Sequence, residues 1–180
     1  MDLSLPLTQE LDTLVSRLKL RRCRLVGASP TVLGRVWIHG DGEVCVGNRV
    51  VLDGRIAPIE LHAQRGGRII LEDDVIIEWG ASIEAQACVT VGARSRLGAW
   101  CKVMDNQYHP LRGNRHERPS SVPLVIEESV RVGSRVILLP GTHLQKGASV
   151  APGTVVSRRI PADVAIGGSP ARVIRREVVG

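Results

Sequence analysis

From Ile126 onward the chain places an apolar residue at every sixth position: Ile126, Val132, Leu138, Leu144, Val150 and Val156. Four residues after each of the first five stands Val130, Val136, Thr142, Ala148 or Thr154. Helical faces recur every 3.6 residues and strand faces every two, so neither asks for a strict six. A coil of short strands with two inward side chains per straight edge does, and hexads are the repeat signature of β-helices. The pattern predicts an all-β solenoid with a thin core.

Upstream the hexads are clean at Leu71, Ile77 and Ile83, slip by two near Val89-Thr90, and resume at Val91, Leu97 and Val103. They are ragged from about Thr31 to Gly67, where Val46–Val50 fits one hexad and Pro58 and Gly66-Gly67 mark turns. Gly47, Gly92, Gly98 and Gly133 each follow the first apolar residue of a hexad. A tight corner with positive φ is the expectation there. Ahead of the repeat, Leu7, Leu11, Leu14, Val15 and Leu18 recur at helical spacing behind Pro6. A short helical lid over the open end of the solenoid is expected, because solenoid ends need caps. The resulting division is a helical cap over residues 1–30, a β-helix over 31–176 and a tail over 177–180.

The repeat breaks between Asp105 and Leu124. That stretch holds Pro110, Gly113, Asn114, Pro119 and Pro123, the basic Arg112, Arg115 and Arg118, and two of the five histidines, His109 and His116. A loop ejected from a rigid scaffold is a common seat of function.

Composition narrows the picture. A chain of 180 residues suits one domain. Three tryptophans, one tyrosine and no phenylalanine agree with a core of stacked small apolar residues. The net charge of +6 admits nucleic acid as a partner, but neither stacking aromatics nor a recognisable module accompanies it. Cys23, Cys45, Cys88 and Cys101 show no metal or disulfide spacing, and Cys101 falls at an inward position. The N-terminus has acidic Asp2 and no apolar signal core, and no stretch reaches membrane-spanning length. A reducing, cytoplasmic setting is the expectation.

Three stretches resemble the bacterial hexapeptide-repeat acyltransferases, in the branch of the maltose and galactoside O-acetyltransferases and the colanic-acid or capsule acetyltransferases. Asn106–Leu111 is similar to the active-site loop with its His-Pro; Pro123–Gly133 is similar to the coil that follows; Pro161–Arg175 is similar to the Gly-x-Pro-Ala-Arg-Val-Ile-Arg ending. The resemblance covers roughly Val44 to Arg176. It implies a left-handed parallel β-helix with an ejected active-site loop, a homotrimer, and acetyl-CoA and acceptor bound between adjacent prisms. It implies acetyl transfer to a hydroxyl of a sugar or polysaccharide precursor, with N-acetylation of an amino sugar as the alternative. Arg131, Glu127, Gln145-Lys146, Pro152 and Ser169 depart from the residues common in that family.

By the same resemblance His109 is the general base. An alcohol is a poor nucleophile at neutral pH, and neutral imidazole is suited to taking its proton. Asp105, four residues earlier, is a candidate to fix the His109 tautomer, or a turn former. The resemblance assigns Ser134, Pro152, Ser157, Arg158, Arg172 and Arg175 to the donor, whose phosphates suit arginine forks. Arg159 and Arg176 read as solvated charge. Trp79 and Trp100 fall on outward positions one turn apart, as a subunit contact or a sugar-stacking wall.

Two other classes share features with this chain. γ-Class carbonic anhydrases share the architecture and hold zinc through a His pair five residues apart plus an upstream His. Here His109 and His116 are seven apart within one loop, so no metal is expected. A purely structural hexad protein is expected to lack the His-Pro loop. His143 reads as a surface residue, and His39 and His62 carry no pattern.

Overall fold

The computed structural model describes residues 4–109, 114, 116, 117 and 119–176, with residues 4–10 and 176 described by their backbone alone. Pro110, Leu111, Arg112, Gly113, Arg115, Arg118 and the tail 177–180 lie outside the described residues, as do Asp2 and the side chain of Leu7.

The chain winds into a left-handed parallel β-helix of about seven coils. One face stacks Leu25–Val26, Glu43–Val46, Arg68–Leu71, Cys88–Val91, Leu124–Ile126, His143–Leu144 and Arg159–Ile160, all in parallel register. The second face begins with residues 31–34 and 51–54 and runs through Ile76–Ile77, Arg96–Leu97, Arg131–Val132 and Ser149–Val150 to Val164–Gly167. The third begins with residues 36–39 and 59–63 and runs through Ser82–Ala85, Lys102–Met104 and Ile137–Leu138 to Val155–Val156. Thr31–His39 and Val51–Ala63 bend from the second face to the third without a break, which is why the hexads there are ragged.

The hexad positions are the core. Ile126, Leu138, Leu144 and Val156 are fully buried, and so are the corner residues Val130, Val136, Thr142, Ala148 and Thr154. Cys101 is buried and donates its Sγ–H to the Gly133 carbonyl over 3.0 Å. Burial pushes its thiol up to about 11. All four cysteines are free thiols.

Three expectations need correction. The hexad glycines Gly47, Gly92, Gly98 and Gly133 are not the positions of positive φ; that conformation falls two residues later, on Arg49, Arg94, Trp100 and Arg135. Glycine is required because a Cβ on Gly92 would stand 2.5 Å from the Glu127 carbonyl carbon of the next coil. The solenoid starts at Leu25, ahead of Thr31, since Leu25–Val26 pairs with Cys45–Val46. The helix Ser4–Lys19 does sit against the first coil, but not through its apolar stripe. Ser16 Oγ accepts from the Val32 amide at 2.9 Å, Lys19 Nζ donates to the Val32 and Gly34 carbonyls, and Leu20 is fully buried. Leu11, Leu14, Val15 and Leu18 face outward.

Candidate functional site

The loop leaves the solenoid after Lys102–Met104, at the edge where the third face turns into the first, and returns at Leu124. Its base is fastened by buried polar groups. Asp105 is fully buried, and its carboxylate accepts the backbone N–H groups of Gln86, Ala87 and Cys88 at 2.8, 2.7 and 2.8 Å. Asn106, also buried, donates to the Pro119 carbonyl and Ser121 Oγ, closing the mouth of the loop. The Val122 amide donates to the Asp105 carbonyl at 2.9 Å. Asp105 therefore ties the loop to the preceding coil; both carboxylate oxygens are engaged by amides there, and its bonds do not include His109.

His109 stands exposed just beyond this base. Its amide donates to the Gln107 carbonyl over 2.6 Å. Tyr108, immediately before it, has a φ of 59° and folds its ring back over the third face. The phenol donates to Glu84 and accepts from Gln64 Nε2 at 3.2 Å. His116 is exposed and gives its amide to Asn114 Oδ1.

The same face presents an outward ladder. His39 pairs in register with His62, His62 with Glu84, and Glu84 with Met104, each one residue past an inward Ile38, Leu61, Ile83 or Val103. The rings of His39 and His62 meet edge-on with centroids 6.3 Å apart, and Trp37 meets His39 in the same way. Sequence reasoning missed this ladder. The signal was an outward residue after each inward one, but coils of unequal length hid the alignment.

The residues assigned to the donor separate into two groups. Ser157, Arg158 and Arg172 line a groove of about 290 Å³ with Val155, Pro170 and Ala171, two rungs along the third face from the loop. Arg158 donates to the Ala171 carbonyl at 2.8 Å, so it also holds the ending in place. Ser134 and Pro152 line a second groove, of about 470 Å³, with Ala99, Trp100, Arg135 and Gly153. That groove follows the edge where the second face turns into the third. Arg175 lines neither groove; it lies in Arg172–Arg176, which pairs antiparallel with Val164–Gly167 and sets Arg175 opposite Ala165. Trp79 and Trp100 are neighbours across adjacent coils: the Trp100 amide donates to the Trp79 carbonyl at 2.9 Å, and the Trp100 ring covers Gly80. Among the described residues no group of three His, Cys, Asp or Glu side chains is arranged to hold a metal ion.

No family model matches the chain. Over 60 residues, a third of its length, it is 40% identical to 2,3,4,5-tetrahydropyridine-2,6-dicarboxylate N-acetyltransferases of Staphylococcus aureus, and the match spans a quarter of those proteins. Among solved structures, a hexapeptide-repeat-containing acetyltransferase of Vibrio cholerae complexed with acetyl coenzyme A superposes with a TM-score of 0.60 at 21% identity, covering 89% of this chain and 74% of that one. AntD, an N-acyltransferase of Bacillus cereus in complex with dTDP and coenzyme A, superposes with a TM-score of 0.76 at 16% identity, covering 90% and 88%. At these identities the likeness establishes a shared fold.

Proposed function

We propose that this chain is an acetyl-CoA-dependent acetyltransferase that acetylates a hydroxyl of a sugar or polysaccharide precursor, with His109 as general base. The observation that supports the reading is that the loop carrying His109 leaves the third face two rungs from Val155–Val156, beside a groove lined by two arginines. His109 takes the acceptor's proton, and the freed oxygen attacks the thioester carbonyl. The tetrahedral intermediate collapses, the C–S bond breaks, and the imidazolium returns the proton to the departing sulfur. Arg158 and Arg172 suit the donor's phosphates, with Ser157 beside them and Ser134, Pro152 and Arg175 completing the proposed donor contacts. Acetylation of an amino sugar is the second reading, favoured by the N-acyltransferase neighbours in both comparisons.

Thiol release from acetyl-CoA, measured over a panel of sugars and amino sugars, tests both. His109→Ala is expected to keep the fold and acetyl-CoA binding and to lose roughly 10²–10⁴ in turnover, the usual worth of a positioned base. No acetyl-enzyme should accumulate, because transfer is direct. Near-normal turnover in this variant would remove His109 from the mechanism.

A further inference from the structure

The residue before His109 is restrained in a way that the proposed chemistry does not require of it. Tyr108 occupies the left-handed backbone region, which a bulky side chain keeps only where its surroundings over-determine it. Those surroundings are visible. The phenol crosses to the preceding coil and sits between Glu84, on the strand Ser82–Ala85, and Gln64, just past Val51–Ala63. Both partners stand on solenoid strands or at their ends, so the bond ties the loop to the rigid part of the molecule. Asn106, through its amide and carbonyl, holds the opposite side of the same turn.

We infer that Glu84, acting through the Tyr108 phenol, is a positioning residue that sets where the His109 ring stands. The inference rests on the reading of His109 as the base. A base works only within about 2.6–3.2 Å of the proton it takes. A displacement of about 1 Å can cost on the order of 10² in rate. His109 itself has no side-chain bond among the described contacts to hold it, so its backbone must do so. A carboxylate is the suitable acceptor for this purpose, because a charge-assisted hydrogen bond is shorter and stronger than a neutral one.

The phenol's protonation fits the role. Burial and then the Glu84 hydrogen bond push Tyr108 up to about 12, with the Glu84 and Asp105 charges acting in the same direction and Gln64 opposing. The donor proton is therefore in place throughout the neutral range. Because the folded value lies above the ordinary one of 10, the contribution is complete below pH 10 and fades as the pH climbs toward 12.

The chain has one tyrosine, so its tyrosinate absorbance reports on this residue alone. The full-length protein is titrated spectroscopically, with circular dichroism following the fold, beside Glu84→Ala, Glu84→Gln and Tyr108→Phe. Wild type is expected to ionise near 12, with Glu84→Ala shifted toward 10. Turnover at saturating acetyl-CoA is expected to fall roughly 10- to 100-fold in Glu84→Ala and Tyr108→Phe, with the KM for acetyl-CoA unchanged. Glu84→Gln, which keeps an acceptor oxygen, should recover part of the loss. An ordinary Tyr108 titration in folded wild type overturns the inference. So does Tyr108→Phe at the wild-type rate when His109→Ala is inactive. A fully active His109→Ala removes the base and the inference with it, and is recognised because the Tyr108 titration is then still displaced.

Discussion

Glycine serves two separate purposes in this chain, and they predict different costs. Gly92 has no left-handed φ, yet an added methyl would stand 2.5 Å from the Glu127 carbonyl carbon and 2.7 Å from the Glu128 nitrogen. Gly153 has a φ of 71° and open space around it. Gly92→Ala forces two coils apart and should cost about 1–3 kcal/mol, as overpacking does. Gly153→Ala should cost less, because its strain of about 1–2 kcal/mol is offset by about 0.4–1 kcal/mol from a stiffer unfolded chain. Urea unfolding of the two variants checks the order; equal costs would show that stacking clearance is not the reason for Gly92. The period of six revealed which residues point inward, because that depends only on spacing. It did not reveal which corner residue takes positive φ, because clearance at a corner is set by the backbone of the neighbouring coil. The left-handed positions went instead to Arg49, Asp74, Arg94 and Ser129, whose amides each donate to a carbonyl one coil earlier at 2.8–2.9 Å. The ion pairs along this edge, Arg49 with Asp74 and both Arg94 and Lys146 with Glu128, are largely exposed and add little.

At the level of elements, the base of the loop is more firmly held than its composition suggests. Its excursion was legible in the sequence, since the hexads stop at Asp105 and resume at Leu124. Its fastening to the solenoid was not, because those anchors come from earlier coils: the amides of residues 86–88 for Asp105, and Glu84 and Gln64 for Tyr108. Asp105→Ala would leave three N–H groups without their acceptor, each costing about 1–3 kcal/mol if it stays dry. It is expected to melt well below wild type and to lose turnover because the loop base opens. Asp105→Asn, with one remaining acceptor oxygen, should fall between. If thermal unfolding of Asp105→Ala matches wild type, the carboxylate is not what ties the loop down. The N-terminal helix shows a related limit: its apolar spacing gave the helix, while contact with the first coil is made by Ser16, Lys19 and Leu20.

At the scale of the whole molecule, the placement of the two grooves proposed for the donor is the telling feature. Ser134 and Pro152 follow strands of the second face; Ser157 and Arg158 follow a strand of the third. On one chain these sets lie on different edges of the prism, and the smaller groove, of about 290 Å³, is at the low end for enclosing even a drug-sized ligand. On the proposed assignment, a donor touching both sets is expected to lie between two chains. A ring of three chains meets this need, because a cyclic assembly joins two different surfaces of the same chain. Trp100 and Ile56, 48% and 68% exposed, give the second-to-third edge the apolar surface that such a contact buries. Sedimentation is therefore expected to report three chains of 19.5 kDa. The sharper test mixes two inactive proteins, His109→Ala and a Ser134→Arg variant that blocks the other groove. If each active site takes one edge from each of two neighbours, co-expressed chains assort at random and about a quarter of the sites carry neither change. Activity should return to roughly that fraction of wild type. Mixed trimers that stay inactive would mean that one chain supplies both edges of its own site, and a stable monomer would mean that no second chain is needed.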